Sequence, residues 1–221
     1  MEQKRQSGFK IMLRLIKVLK PLAPIMMITI SFGILGFLAA TAITSFGMVA
    51  GADILGIEGI LNGTSNFILS EMSEKEVSYE EALHKTQSIG IAETNPYMDV
   101  EGYDTAIKMI ILTNYFFDSQ IALKDVDIVG ISNLSKEVIN RAKDSGGKIK
   151  LLGKTYREND EIKIKVSPEI LNDEHSLYSV DGKNKGILFK TDVLGNITII
   201  GGASGVENAA ASIVRDITNL K

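Results

Sequence analysis

The chain has 221 residues, which is enough for one domain of ordinary size and a shorter appendage. Its formal net charge of −3 gives no general basic field, and no interleaved basic and aromatic pattern occurs, so nucleic acid is excluded as a partner. The chain has no cysteine and only two histidines, which excludes a disulfide framework, a thiolate zinc site and a cysteine nucleophile. No metal site is predicted.

Residues 1–52 form a basic stretch followed by an apolar one. Residues 21–52 contain no charged side chain, and about 20 apolar residues are enough for a helix to span a bilayer. The sequence therefore predicts a transmembrane segment, with membrane association through residues 21–52. A buried helix of a soluble domain is the alternative interpretation. The residues before the segment include one acid, Glu2, and these basic residues, which favour a cytoplasmic N-terminus: Lys4, Arg5, Lys10, Arg14, Lys17 and Lys20.

Past residue 52 the sequence changes to ordinary amphipathic protein, and residues 53–221 are predicted to form one domain. Residues 62–66 are rich in turn-forming and helix-capping types, and apolar residues follow them. This pattern predicts a short helix beginning at Thr64 or Ser65. The N-terminus of such a helix offers unpaired backbone N–H groups.

Two further helices are predicted before the middle of this domain. Ser78 and Glu81 have the S-x-x-E spacing of a capping box, which predicts a helix that ends at Gly90. Pro96 keeps the next stretch irregular. From Tyr103 the sequence is apolar almost all round, which predicts a helix buried in a core.

The second half of the domain is predicted to be mostly strands. Residues 161–166 alternate strictly between apolar and polar types, which indicates a strand with one buried face, and residues 158–160 suggest a hairpin loop before it. Residues 206–220 are predicted to form a closing helix over the sheet. The predicted fold class is α+β, with a mixed sheet covered by helices. The predicted strands are 126–131, 148–154, 161–166, 186–190 and 196–200.

A chemically unusual stretch lies between the second helix and the apolar one. It places Glu93, Asp99 and Glu101 on a loop, and Asp104 and Lys108 one turn apart on the apolar helix. Carboxylates and a lysine beside an apolar helix are costly unless they pair or perform chemistry. Such a group could bind an ammonium-bearing ligand while the lysine exchanges a proton with it. Spacing alone favours the simpler alternative, an i,i+4 ion pair between Asp104 and Lys108 with the other acids solvated.

Residues 90–108 closely resemble the signature of homoserine dehydrogenases. They contain, in order, a glycine, a variable residue, A-E-x-(D/N)-P, an aspartate, G-x-D and A-x-K. The resemblance continues in the same order through residues 57–69, 175–182 and 201–205, so it covers the whole of 53–221. The turn at 201–205 departs from the family's usual G-x-G-A-G.

The resemblance implies an enzyme that interconverts L-homoserine and L-aspartate 4-semialdehyde by hydride transfer to or from NAD(P), on the route to threonine, methionine and isoleucine. It implies that Lys108 is the catalytic lysine, which exchanges a proton with the substrate hydroxyl. Glu93 and Asp104 are then expected to bind the amino and hydroxyl ends of the substrate. Asp99 is expected to support them, and Thr64 to contact the substrate.

The resemblance also implies that Asn62, Gly63 and Thr64 lie where substrate and nicotinamide meet. The family places a nucleotide-binding domain ahead of this one, and its phosphate loop needs G-x-G-x-x-G after a strand. No such spacing occurs here, and the second lysine that the family supplies from that domain is also absent. We therefore expect NAD(P) to be bound mainly by a domain that this chain lacks, and the chain alone to turn over poorly.

Three further expectations follow from the resemblance. His175 occupies the family's H-x-L position, where we expect a structural residue without chemistry. Family members dimerise through the sheet of this domain, which implies a homodimer. The enzyme domain is expected in the cytoplasm, where its cofactor is found.

Two alternatives to a truncated enzyme remain open. One is a membrane-anchored module that binds an amino acid and has lost the oxidation chemistry. The other is an inactive chimeric fragment, because residues 12–21 and the apolar run after them also resemble the start of the membrane domain of an ABC exporter of the cytochrome bd assembly type.

Overall fold

The computed structural model describes residues 52–202. Apart from Ala52, the predicted transmembrane segment lies outside the described residues, as does the closing helix predicted at 206–220. Within residues 52–202, no helix combines the length and the apolar composition needed to cross a bilayer.

Among the described residues, most of the helices lie between the first two strands, and the last four strands follow one another. The helices are α1 (Gly63–Lys75), α2 (Tyr79–Ser88), α3 (Tyr97–Val100), α4 (Tyr103–Phe117) and α5 (Lys136–Asp144), with a 3-10 turn at Leu123–Asp125. The strands are β1 (Ile54–Ile60), β2 (Asp127–Ile128), β3 (Lys148–Glu158), β4 (Glu161–Leu171), β5 (Lys185–Thr191) and β6 (Asn196–Gly201).

The strands form one six-stranded sheet in the order β2-β4-β3-β1-β5-β6. All neighbouring strands are antiparallel except β2 and β4, which are parallel. This mixed sheet, with helices packed against it, confirms the predicted α+β class. The main core joins the helices to one face of the sheet and contains Ile68, Leu69, Met72, Ala82, Val100, Ala106, Ile131, Ile139, Ala142, Ile149, Leu151 and Val166.

A second apolar cluster lies on the other face of the sheet. The segment between β4 and β5 supplies Leu177 and Val180, which are fully buried. These residues pack on strand residues of that face, so this segment covers part of the sheet where no described helix does. The cluster contains Ile60, Leu152, Leu171, Leu177, Val180 and Leu188.

Two local predictions are confirmed in detail. The backbone N–H of Glu81 donates to Ser78 Oγ at 3.2 Å, and the N–H of Ser78 donates to the Glu81 carboxylate at 2.9 Å, so the capping box of α2 is complete. The hairpin between β3 and β4 turns at Asn159 and Asp160, whose φ angles of 49° and 64° are both left-handed. A two-residue turn of this kind matches the twist of the strands it joins.

Other predictions need correction. Helix α1 begins at Gly63, one residue before Thr64 and two before Ser65, the predicted starts, because Asn62 is its N-cap. Helix α4 is not buried all round, since Ile107 is 39% and Tyr115 is 64% exposed. It packs through one face, and Gly153 of β3 allows that close approach, since a Cβ there would lie 2.4 Å from the Met109 side chain.

The strand predicted at 126–131 is reduced to Asp127–Ile128. The chain leaves the sheet there because Gly130 lies against α3, where a Cβ would be 2.6 Å from the Cα of Glu101. Strand β1 and helices α3 and α5 have no counterpart among the predicted elements. The stretch after Pro96, predicted to be irregular, forms α3 because proline is tolerated at the start of a helix. All three elements contribute to the main core or to the site described next.

Candidate active site

The site is organised by Asn62, which follows β1 and caps α1. Its side-chain oxygen accepts a hydrogen bond from the backbone N–H of Ser65 at 2.9 Å, the usual bond of an asparagine N-cap. Its side-chain nitrogen donates to Asp99 Oδ1 at 2.6 Å and to Asp104 Oδ2 at 2.8 Å. One buried amide therefore holds the start of α1 and two carboxylates together.

Lys108 lies on the same side of α4 as Asp104. Its ammonium donates to Asp104 Oδ2 at 2.7 Å and to the backbone carbonyl of Leu61 at 3.1 Å. The side chains of Lys108 and Asp104 are only 13% and 25% exposed. The i,i+4 ion pair is thus present, but it is tied to Asn62 and to the end of β1 and is not a solvated surface pair.

Asp99 lies on the single-turn helix α3. Burial raises the pKa of Asp99, and the like charge of Asp104 raises it further, while the hydrogen bond from Asn62 and the positive charge of Lys108 act in the opposite direction. Two neighbouring carboxylates that share one amide favour a positively charged ligand, because a cation relieves the repulsion between them.

Thr64 lies in the first turn of α1, close to the loop that precedes α3. Its hydroxyl donates to the backbone carbonyl of Ile91 at 3.3 Å, which joins α1 to the loop that carries Glu93. Gly63, beside it, has no room for a side chain, because a Cβ would lie 2.9 Å from the carbonyl oxygen of Lys183. Because residue 63 has no side chain, nothing at this position covers the backbone of the turn.

Glu93 is not part of the hydrogen-bonded cluster. It is exposed, and its backbone carbonyl accepts from the side chain of Gln87 at 3.1 Å. Within the described part of the chain, no hydrogen bond or ion pair joins its carboxylate to Lys108 or to Thr64. Of the predicted site residues, the structure brings together Asn62, Gly63, Thr64, Asp99, Asp104 and Lys108.

Sequence reasoning missed Lys185, the first residue of β5. It is only 5% exposed, and a Cβ built at Gly63 would lie 3.4 Å from its Nζ, so its ammonium adjoins the first turn of α1. Burial lowers the pKa of Lys185, and the positive charge of Lys108 lowers it further. A lysine at the start of a strand resembles any surface lysine in sequence, so no local pattern marks it.

His175 lies on the other face of the sheet. Its Nε2 lies 2.8 Å from the Glu58 carboxylate, and the backbone N–H of Leu177 donates to its Nδ1 at 3.1 Å. Because Nδ1 accepts, Nε2 carries the proton and donates to Glu58. Both ring nitrogens are occupied by structural bonds, in agreement with the predicted structural role. Residues 52–202 contain no cluster of three acidic or histidine side chains suited to a metal ion.

The comparisons with known proteins agree on one family. A family model described as homoserine dehydrogenase matches residues 44–218. A protein of Pseudomonas canavaninivorans named NAD(+)-dependent homoserine dehydrogenase is 37% identical over 173 residues, which cover 78% of this chain and 49% of that protein. The homoserine dehydrogenase of Bacillus subtilis is 37% identical over 159 residues, which cover 72% of this chain and 37% of that protein.

Solved structures give the same result. A crystal structure of the homoserine dehydrogenase of Staphylococcus aureus aligns with a TM-score of 0.70 at 38% identity, over 76% of this chain and 42% of that one. A structure of the enzyme from Thiobacillus denitrificans aligns with a TM-score of 0.70 at 36% identity, over 74% of this chain and 38% of that one. The chain thus spans half or less of the length of these relatives.

Proposed function

The chain belongs to the homoserine dehydrogenase family, and on that basis we propose that it carries the substrate-binding and proton-transfer half of an enzyme that interconverts L-homoserine and L-aspartate 4-semialdehyde. The arrangement around Lys108 supports this proposal most strongly. A lysine held in a sheltered position by a carboxylate and a carbonyl has a fixed amine, which proton transfer requires.

The bonds of Lys108 suit both directions of the reaction. A neutral amine has two N–H groups and one lone pair. When the two N–H groups bond Asp104 and the Leu61 carbonyl, the lone pair remains free to accept the hydroxyl proton of homoserine. In the reverse direction the ammonium has a third N–H, which donates to the oxygen of the aldehyde as it becomes a hydroxyl.

The carboxylates of the site are proposed to bind the substrate amine. Asp104 is fixed by Asn62 and Lys108, and Asp99 by Asn62, so both carboxylates are oriented before the substrate arrives. We propose that Glu93, which is exposed on the adjoining loop, contacts the amine only when substrate is bound. Asp99 then supports the amide that positions Asp104.

NAD(P) is the proposed hydride carrier, and the name of the Pseudomonas canavaninivorans relative states a dependence on NAD(+) for that protein. The described residues suit only its nicotinamide end. The Asn62 amide is fully engaged with Asp99, Asp104 and Ser65, so we propose that a nicotinamide packs near the turn at Gly63 and Thr64 without a hydrogen bond from Asn62. Residues 52–202 contain no glycine-rich loop of the kind that binds a pyrophosphate.

We further propose a cytoplasmic homodimer that forms through the sheet face carrying Glu58. Exposed apolar side chains on this face, Tyr156 at 39% and Ile200 at 48%, support it. Light scattering on the purified chain should give twice the mass of one chain, and a monomer at micromolar concentration would argue against it.

The enzyme proposal is tested by complementation. The chain is mixed with a separately produced nucleotide-binding half of a homologous enzyme, and semialdehyde-dependent oxidation of NAD(P)H is measured. Activity should appear with the natural chain and with Lys124→Ala, an exposed lysine away from the site, and should be lost with Lys108→Ala. Equal activity in the Lys108 and Lys124 variants would contradict the proposal.

A module that binds an amino acid without oxidising it is the second candidate function. It is favoured by one observation, the presence of the carboxylate cluster in a described region without a phosphate loop. This candidate predicts homoserine binding that survives Lys108→Ala, with no activity in any complementation mixture.

A further inference from the structure

Lys185 is a buried cation that forms no ion pair within residues 52–202, and the nearby charge of Asp104 offsets its burial only in part. Its residue is 5% exposed, and its one hydrogen bond within residues 52–202 goes to the carbonyl of Gly202 at 3.4 Å. No ion pair joins it to an acidic side chain of that range. A buried ammonium in such surroundings is costly, and ligand binding is a common reason to keep one.

The surroundings of Lys185 favour an anion. Its Nζ adjoins Gly63, the first residue of α1, at a helix N-terminus that carries a partial positive charge. In the described structure the backbone N–H groups of Gly63 and Thr64 have no hydrogen-bond partner, whereas the N–H of Ser65 is satisfied by Asn62. The glycine matters, because a side chain at position 63 would fill the space beside the ammonium.

The substrate of the proposed reaction supplies a suitable anion. Homoserine has a hydroxyl, an ammonium and a carboxylate. The proposed roles of Lys108 and of the acidic side chains account for the first two groups and leave the carboxylate without a partner. Placing that carboxylate among Asp99 and Asp104 would cost repulsion, so it must point toward a cation.

We propose that Lys185 is a specificity-determining residue that binds the α-carboxylate of the amino-acid substrate beside Gly63. This inference rests on the proposed function and adds to it a residue that selects amino acids over simple amino alcohols. Lys108 then acts on the hydroxyl end of the substrate while Lys185 holds the opposite end.

The test compares two ligands on the full chain by NMR titration. L-Homoserine carries the carboxylate, and 3-aminopropan-1-ol is the same molecule without it. The natural chain should bind homoserine more tightly than the amino alcohol. Lys185→Met should weaken homoserine binding about 10- to 100-fold, the usual range for a lost charge-assisted hydrogen bond, and leave binding of the amino alcohol unchanged.

Lys150→Met is the matched control, because Lys150 is equally buried but bonds Asp181, Asn66 Oδ1 and the Val180 carbonyl. This change should lower stability without altering the ratio of the two affinities. Lys185→Gln is the second variant, because its amide can keep the bond to Gly202 if the methionine variant does not fold. It should show the same selective loss.

The outcomes separate the inference from the proposed function. If homoserine binds the natural chain and the Lys185 variants equally well, the inference is overturned and the enzyme proposal stands. If the natural chain binds no homoserine, both are overturned. In the complementation mixture, a higher KM for NAD(P) with an unchanged KM for homoserine would assign Lys185 to the cofactor and would also overturn the inference.

Discussion

The clusters around Lys150 and Lys108 each place a lysine against a carboxylate, and they differ in how many N–H donors of the ammonium have a partner. Lys150 is 1% exposed, and its ammonium has three partners, namely Asn66 Oδ1, the Val180 carbonyl and Asp181. Lys108 has two partners, Asp104 and the Leu61 carbonyl. A lysine with every donor occupied ties elements together, whereas one with a free position can exchange a proton with a ligand.

The largest effect expected from this difference is on activity. Lys108→Met should lower kcat in the complementation mixture by about 10²- to 10⁴-fold, because general acid–base catalysis contributes that much. The melting temperature should fall less than in Lys150→Met, because Lys108 loses two hydrogen bonds and Lys150 loses three. Lys124→Met, at an exposed position, is the control. If the activity of Lys108→Met falls only in proportion to the amount of folded protein, Lys108 has a structural role like that of Lys150, and the prediction is wrong.

Lys150→Met should lower stability and leave activity unchanged. It leaves Asn66 Oδ1 and Asp181 Oδ1 without a donor, and the Val180 carbonyl keeps only its bond from the Asn66 amide, so the free energy of unfolding should fall by about 1–3 kcal/mol. Urea denaturation measures this, and the KM for homoserine should not change. A changed KM with unchanged stability would show that Lys150 also serves the site.

A comparison of two caps isolates the role of Asn62. Asn62→Ala and Ser78→Ala each remove a helix N-cap, and each should lower the free energy of unfolding by about 0.5–2 kcal/mol. Asn62→Ala should also weaken homoserine binding, because its amide orients Asp99 and Asp104. Ser78→Ala should leave binding unchanged. If the two variants bind homoserine equally well, Asn62 acts only as a helix N-cap.

The smallest expected effect is on the pH dependence of stability. The pKa of Asp99 is raised by burial, so the folded state binds the extra proton, and stability should fall as pH rises from the unfolded pKa of about 3.9 through the folded pKa. Burial also favours a higher pKa for Glu58, but hydrogen bonds from Lys190 and His175 lower it overall. Its stabilisation is present above the unfolded pKa of about 4.3 and is lost as pH falls through the folded pKa.

Urea unfolding between pH 3 and 7 tests both signs. Relative to Asp99→Asn, the natural chain should gain stability as pH falls. Relative to Glu58→Gln, it should lose stability over the same change. Parallel curves for the natural chain and Asp99→Asn would show that Asp99 is not destabilised by its surroundings.

Local chemistry made much of the fold predictable. The capping box at Ser78 and the alternation at 161–166 are local signals, and both gave correct elements. Strand β1 was missed because two glycines interrupt it and its last five residues are all buried, which removes the alternation of a half-exposed strand. Helix α5 was missed because it has few apolar residues, and its helical form depends on packing through Ile139 and Ala142.

The site residues also fall into those that local spacing predicts and those that depend on contacts between distant parts of the chain. The motif around Asp99, Asp104 and Lys108 was visible because its spacing is fixed within one stretch of chain. The bond from Asn62 to both aspartates joins residues about 40 positions apart, so sequence placed Asn62 at the site only through the family resemblance. Lys185 depends on how β5 lies beside α1, and spacing cannot show that.

The central claim is that the amine of Lys108 exchanges the proton of the substrate hydroxyl, and chemical rescue tests it most directly. Lys108→Ala is assayed in the complementation mixture with increasing ethylamine, which can enter the space that the side chain leaves. We predict that homoserine-dependent NAD(P)H formation returns in proportion to the neutral amine, while the natural chain does not respond. Full activity of Lys108→Ala without added amine would contradict the account.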